Sequence, residues 1–287
     1  MPLRREPTLR QRRLGTEMRR MREQAGLGGS QLARILGLNP TQVTQMETGR
    51  IGVSAERLRT VASACSCSDR PLIDALAEMA VERRKGWWED SRGAVSSDLL
   101  DLAELEDSAT RLTAYTITFV PGLLQTDAYA ASVFARAIPP LPHHEVDVRL
   151  RFRMNRQRVI HPGGAPYLAF IHEAALRMQF SGPKVLAEQL EALIGHSETP
   201  EISIRAVPFD IESLPGPSEN FIYAEGPVPE LDSVQIDTTH NSLILESPAP
   251  LASYREILAR MASVALSEEG SRDFIRRIKK ETESKHG

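Results

Sequence analysis

The stretch "LARILGLNPTQVTQMETGR", residues 32–50, decides the reading of the N-terminal part of this chain. It reads as two short helices joined at Gly37. Leu32, Ile35 and Leu36 recur at the spacing of one helix face and make an apolar stripe. Asn39 suits an N-cap, because its side-chain oxygen can accept from a first-turn N–H. Pro40 suits the first helical position, where its missing N–H is not needed. Gly49 suits the stop. Two helices that pack this closely need a small residue where they approach, a glycine at the turn and a β-branched residue to seal the angle. Ala33, Gly37 and Val43 supply these as the motif core. With that set inward, Asn39, Pro40, Thr41, Thr44 and Gln45 are left on the other face. A merely solvated face also accepts Thr and Gln, although charged residues are the usual choice there.

The flanks read almost wholly helical over residues 9–82. Leu14, Met18, Met21 and Arg22 follow one helical face, and Gly26 suits its end. Ser54 caps a fourth helix with Leu58 and Val61 inward. Asp69 or Arg70, with Pro71 in the first turn, opens a fifth through Leu72, Leu76 and Met79. Residues 1–82 are therefore expected to form an all-α, five-helix domain. Charge singles out the same end. Residues 1–60 hold 12 arginines against 5 acidic residues, a net +7, although the whole chain carries −3. A basic module on an acidic body suggests nucleic-acid contact confined to one end. The polar row fits that chemistry. Gln pairs in a bidentate way with adenine N6/N7, and Thr hydrogen-bonds or lays its methyl on thymine. Asn39, Pro40, Thr41, Thr44 and Gln45 are the candidate base contacts. Arg10, Arg12, Arg13, Ser30 and Arg50 are the candidate phosphate contacts, which position without specifying.

The Ala33, Gly37 and Val43 spacing, the Glu47-Thr48-Gly49-Arg50 tail, the five helices and the basic flank together resemble the Xre/Cro-type helix-turn-helix regulators. The resemblance covers about the first quarter of the chain. It implies a second helix whose N-terminal part enters the major groove, and a dimer on double-stranded DNA carrying an inverted repeat. Glu47 takes a structural role. Where many relatives have a Ser or Thr cap and then Gln, this chain has Gly28, Gly29 and Ser30.

Residues 83–97, with Trp87 and Trp88 side by side, read as a linker or joining segment. From residue 98 the pattern mixes. The 96–116 stretch looks helical, with Leu99, Leu102, Leu105 and Leu112 inward, and overlaps a β-like run at 115–120. Helices are expected around 127–138, 145–160, 183–196, 251–266 and 271–281. Strands are expected around 166–172, 201–209, 221–225, 233–237 and 241–246. The fold class is α+β overall: the helical N-terminal domain, then an α+β domain over 98–287 for regulation, oligomerisation or partner binding. Its words "VPGLLQTDAYA" (120–130), "RMNRQRVI" (153–160), "ISIRAVPFD" (202–210) and "NFIYAE" (220–225) stand in that order behind the helical domain. In this they resemble the actinobacterial WhiJ-type regulators, whose C-terminal domain was long of unknown function. The resemblance implies a transcriptional regulator, often a repressor of developmental or antibiotic genes. It also implies control by a small acidic partner protein of the BldB-like type encoded nearby. Arg149, Arg153 and Arg156, with Gln157, lie near one helix face. They are the candidate docking row for that partner, against the plainer reading of a solvated face.

Enzyme readings find no constellation. "HEAAL" (172–176) has leucine where a zinc helix needs its second histidine. There is no G-x-S-x-G, P-loop or G-x-G-x-x-G, and "HPGGAP" (161–166) reads as a turn. No catalytic residue, metal site or cofactor is expected. Cys65 and Cys67 read as ordinary residues in a reducing compartment. With no apolar run of membrane-spanning length and an arginine-rich start, a cytoplasmic protein is expected. Two other control schemes stay open: an α+β domain that binds a small-molecule effector, and an antitoxin-like domain that neutralises its partner.

Overall fold

Thr8 sets the first helix. Its hydroxyl accepts from the Gln11 N–H, and the Gln11 carboxamide accepts from the Thr8 N–H. This is a capping box, which satisfies two of the donors that a helix start leaves over. It opens α1, Leu9–Gln24. The same spacing recurs twice. Gln31 accepts from the Gly28 N–H ahead of α2, Gly29–Leu36, and glycine leaves that box half made. Asn39 and Gln42 complete it ahead of α3, Pro40–Glu47. Ser54 caps α4, Ala55–Ala64, and Asp69 caps α5, Arg70–Val81.

The computed structural model describes residues 6–82, 85–161, 163–213, 219–238 and 241–284. It divides into two compact units, Met1–Trp87 and Trp88–Gly287. In the first, Met18, Leu32, Ala33, Val43, Leu58 and Leu76 are buried together with their neighbours. Two glycines let α3 lie against α1. A Cβ on Gly15 would stand 2.5 Å from the Glu47 carbonyl oxygen. Gly49, at φ +70°, would bring one within 2.6 Å of the Gln11 carbonyl. Arg22 and Glu47 then pin the pair: Nε and Nη2 of Arg22 donate to the two carboxylate oxygens at 2.6 and 3.0 Å. Two readings of the apolar stripes are corrected here. Arg22 leaves the core row to bind Glu47 and the Leu27 carbonyl. Ile35 is 56% exposed, because the short α2 already fills its contacts with Leu32, Ala33 and Leu36.

The second unit opens with α6, Ser97–Ser108. Its sheet is mixed: β1 (Arg111–Thr116), β2 (Tyr167–His172), β3 (Ile202–Val207), β4 (Phe221–Glu225), β5 (Ser233–Asp237) and β6 (Ser242–Leu245) stand in the order β3-β2-β1-β4-β5-β6. β1, β2 and β3 run parallel, and β4, β5 and β6 pair antiparallel. The halves differ because their connections differ. Parallel neighbours need a crossover, while antiparallel ones can return through a short loop. α7 (Asp127–Phe134) and α8 (His143–Arg156) cross from β1 to β2. α9 (Glu173–Arg177) and α10 (Pro183–His196) cross from β2 to β3. α11 (Pro248–Val264) and α12 (Glu268–Ser284) end the chain, with Leu251 and Met261 in a core beside Tyr115, Phe170 and Phe221. The β3 edge is closed: the Ala206 N–H donates to Ser271 Oγ and its carbonyl accepts from the Leu266 N–H. The helix expected at 96–116 stops at Ser108. Leu112 belongs to β1, fully buried between Tyr167 and Ala224. Its distance from Leu105 matches two helical turns, but the alternating Leu112, Ala114 and Thr116 follow the strand period instead.

Candidate nucleic-acid interface

Helix α3 is held by its buried side. Val43 and Met46 are 1% and 5% exposed, Gly15 and Gly49 admit its backbone, and Glu47 is locked to Arg22. Asn39, Pro40, Thr41 and Thr44 are exposed and Gln45 is half-buried. Gly37 sits at the turn in the left-handed region, at φ 64°, as C-cap of α2, and Ala33 lies buried at the crossing. The exposed row is not uniform in what it has left to offer. Asn39 Oδ1 accepts from the Gln42 N–H at 2.8 Å, so its carboxamide nitrogen is the remaining donor. The Thr44 hydroxyl donates to the Pro40 carbonyl at 3.1 Å, which leaves its methyl and an acceptor lone pair. Thr41 and Gln45 make no side-chain hydrogen bond among the described residues, so their polar capacity is uncommitted there. Thr48, exposed one turn further on, escaped the sequence reading; its hydroxyl donates to the Thr44 carbonyl at 2.8 Å.

The phosphate candidates divide. Arg50, directly after α3, and Ser30, in the first turn of α2, are exposed. Arg10 pairs with Glu82 at 2.8 Å, and Arg12 Nη1 donates to the Pro7 carbonyl at 2.7 Å, so both are partly committed within the unit. Arg13 is corrected. It is 4% exposed and pairs with Glu17, a carboxylate that is itself 2% exposed and also takes Arg20. A buried carboxylate requires such partners, so Arg13 turns inward to Glu17 rather than outward.

Comparison with known families agrees with this division of the chain. A family model described as a domain of unknown function (DUF5753) matches residues 99–277, more than half of the sequence. The chain belongs to the DUF5753 family. A helix-turn-helix domain model matches residues 13–76, the span from α1 to α5. The first unit is thus a helix-turn-helix DNA-binding domain, and the chain is a DNA-binding regulator. No curated protein and no solved structure matches. Among the described residues, no helix is long and apolar enough to cross a membrane.

The DUF5753 part holds the arginine row of α8, and there the docking-face reading is corrected. Arg156 is 5% exposed and clasps Glu106 of α6, Nε and Nη2 donating to the two carboxylate oxygens at 2.8 and 2.6 Å. Burial works against its charge, but Glu106 outweighs that and holds the pKa above the ordinary arginine value. Arg153 turns inward as well: Nη1 donates to Gln125 Oε1 at 2.6 Å, and the guanidinium lies 4.2 Å from the Phe134 ring centre. Gln157 Nε2 donates to the Gln125 carbonyl at 2.6 Å. Arg149, half-buried, lies 3.6 Å from Glu145 of its own helix and makes no such inward bond. The reason lies in the "PGLLQT" word. Its turn exposes carbonyls that need donors, and Gln125, Gln157 and Gln189 supply them. A helical spacing of arginines cannot show which side of α8 that turn covers.

Proposed function

We propose that the chain is a sequence-specific transcriptional regulator that places α3 in the major groove. Asn39, Pro40, Thr41, Thr44 and Gln45 meet base edges there, and Ser30, Arg50, Arg10 and Arg12 meet phosphates. The observation that carries this is the row beside Val43 and Met46: exposed, polar, and with Thr41 and Gln45 uncommitted within the described residues. Each good base contact discriminates by about 1–3 kcal/mol. A helix with so few readers gains from doubling. The regulator acts as a homodimer on an inverted repeat whose half-sites lie about 34 Å apart, one helical turn. It acts as a WhiJ-type repressor, and the DUF5753 part couples DNA binding to a small acidic partner protein. That partner docks away from Arg153 and Arg156, which serve internal bonds.

Selection of binding sites from random duplexes by the full chain tests this. The expected consensus has two inverted half-sites with centres about 10 base pairs apart. A single half-site, or enrichment without a consensus, would overturn the dimeric reading.

A further inference from the structure

Three arginines of this chain lend themselves to direct comparison. In Arg22 and in Arg156 the Nε–Nη2 edge of the guanidinium holds a carboxylate by two parallel bonds, from Glu47 and Glu106. Such fork-to-fork pairs are the strong form of the interaction. Arg153 sits one helical turn before Arg156 and keeps a different arrangement. Its Nη1 donates to Gln125, while its Nε is sealed from water and finds no acceptor among the described residues. None of the residues outside the described set is Asp or Glu. Of the two guanidiniums only Arg156 holds a carboxylate, Glu106. Burial, and then the charge of Arg156, pushes the Arg153 pKa down to about 9, with only partial relief from Asp237 and Glu106. A second orphan donor belongs to the same neighbourhood: the Tyr167 hydroxyl is buried without a partner, and its ionisation feels both Glu106 and Arg156. Buried donors are rarely left unmade, and a charged one least of all.

Gly122 lies against this edge. Its φ is not in the left-handed region, and a Cβ there would clash with nothing. Neither backbone nor packing demands glycine. What a side chain would do is cover the arginines: a Cβ would lie 3.8 Å from Arg153 Nε and 3.9 Å from Arg156 Nη2. Both guanidiniums converge on that point, with the Phe134 ring flanking Arg153.

We propose that the Nε edge of Arg153, entered beside Gly122, is a binding site for the carboxylate of a small organic acid. The burial of the edge favours a small molecule over a protein surface. One aromatic ring and a few placed donors border it, and small-molecule sites combine such groups. The DUF5753 part thereby acquires a ligand of stated chemistry. This inference goes beyond the DNA-binding reading and does not rest on it.

The test is the Nε–Hε spectrum of the full chain labelled with ¹⁵N-arginine, titrated with sodium acetate against sodium chloride at constant ionic strength and without DNA. Arg153→Lys, which keeps the charge and loses the fork, identifies the Arg153 signal by its disappearance. The expected result is a saturable shift of that signal with acetate alone, while the Arg22 signal stays fixed and reports the fold. Gly122→Val, with the Arg22 and Arg156 signals in place, is expected to weaken acetate about tenfold, the loss of one charge-assisted contact. No saturable shift, or an equal shift with chloride, would overturn the proposal. A shift with a hexaglutamate peptide but with neither acetate nor succinate would overturn the small-molecule assignment and make the edge a protein-docking point.

Discussion

Helices α3 and α8 both carry a row of polar residues at helical spacing, and they use it in opposite ways. On α3 the row Asn39, Thr41, Thr44 faces out, because Val43, Met46 and the Arg22–Glu47 fork take the other side. On α8 the row Arg153, Arg156 faces in, because α6 offers Glu106 and the 120–125 turn offers a carboxamide and carbonyls. The difference teaches where a polar side chain goes. It follows its partners, not its class. A row with no acceptor across from it stays available to a ligand such as DNA. A row that meets a buried carboxylate becomes part of the frame, and only an unfilled edge of it remains for anything else.

The comparison can be broken most forcefully at Arg156. Arg156→Met leaves Glu106 buried without its cation, which costs about 3–5 kcal/mol when one partner of a buried pair is removed. Urea unfolding should show that loss in the transition of the DUF5753 part, with the helix-turn-helix signal unchanged. A variant as stable as the parent would return the row to the surface. On the α3 side, Gly15→Ala forces a methyl against the Glu47 carbonyl. About 1–3 kcal/mol is expected from such overpacking, read by thermal unfolding of the first unit, together with weaker DNA binding as α3 is displaced. Asn39→Ala removes an N-cap, about 1 kcal/mol of stability, and should reduce operator affinity more than that stability loss explains. Equal losses on operator and random duplex would confine Asn39 to capping.

The smallest expected effect is a pH dependence. His172 Nδ1 accepts from the Ala174 N–H at the start of α9, which only a neutral ring can do. Burial holds its pKa below 6.5, partly opposed by Glu173. The unfolded chain then binds the proton more readily than the folded one. Stability is full above pH 6.5 and falls as the pH drops from there through the lower folded value. His172→Gln should flatten this part of the curve measured between pH 7 and 5. An unchanged slope would assign the proton to another group, such as His196, which burial also shifts down.

Much of the fold was legible because caps and periods are local. Asn39 and Ser54 start their helices where their side-chain oxygens predict, and residues 183–196, 221–225 and 233–237 coincide with α10, β4 and β5. The recurring cap-x-x-Gln spacing at Thr8, Gly28 and Asn39 was equally open to view and marks three helix starts. Leu112 misled because one residue satisfies a helical count from Leu105 and a strand count toward Ala114 at once. The site was half legible. Polar residues next to apolar ones on α3 announce a spare face. For Arg13 the i, i+4 spacing to Glu17 shows the pair but not that both ends are buried. Arg156 did not announce burial, since Glu106 is 50 residues away in sequence. Local spacing carries no record of such a distant partner.

The central claim is that Thr41 and Gln45 read bases. The most direct measurement is the affinity of Thr41→Ala/Gln45→Ala for the selected operator and for a random duplex at one salt concentration. The predicted result is a fall in their ratio of at least about tenfold, with random-duplex binding unchanged, since each base contact is worth about 1–3 kcal/mol. An unchanged ratio would contradict the placement of α3 in the groove.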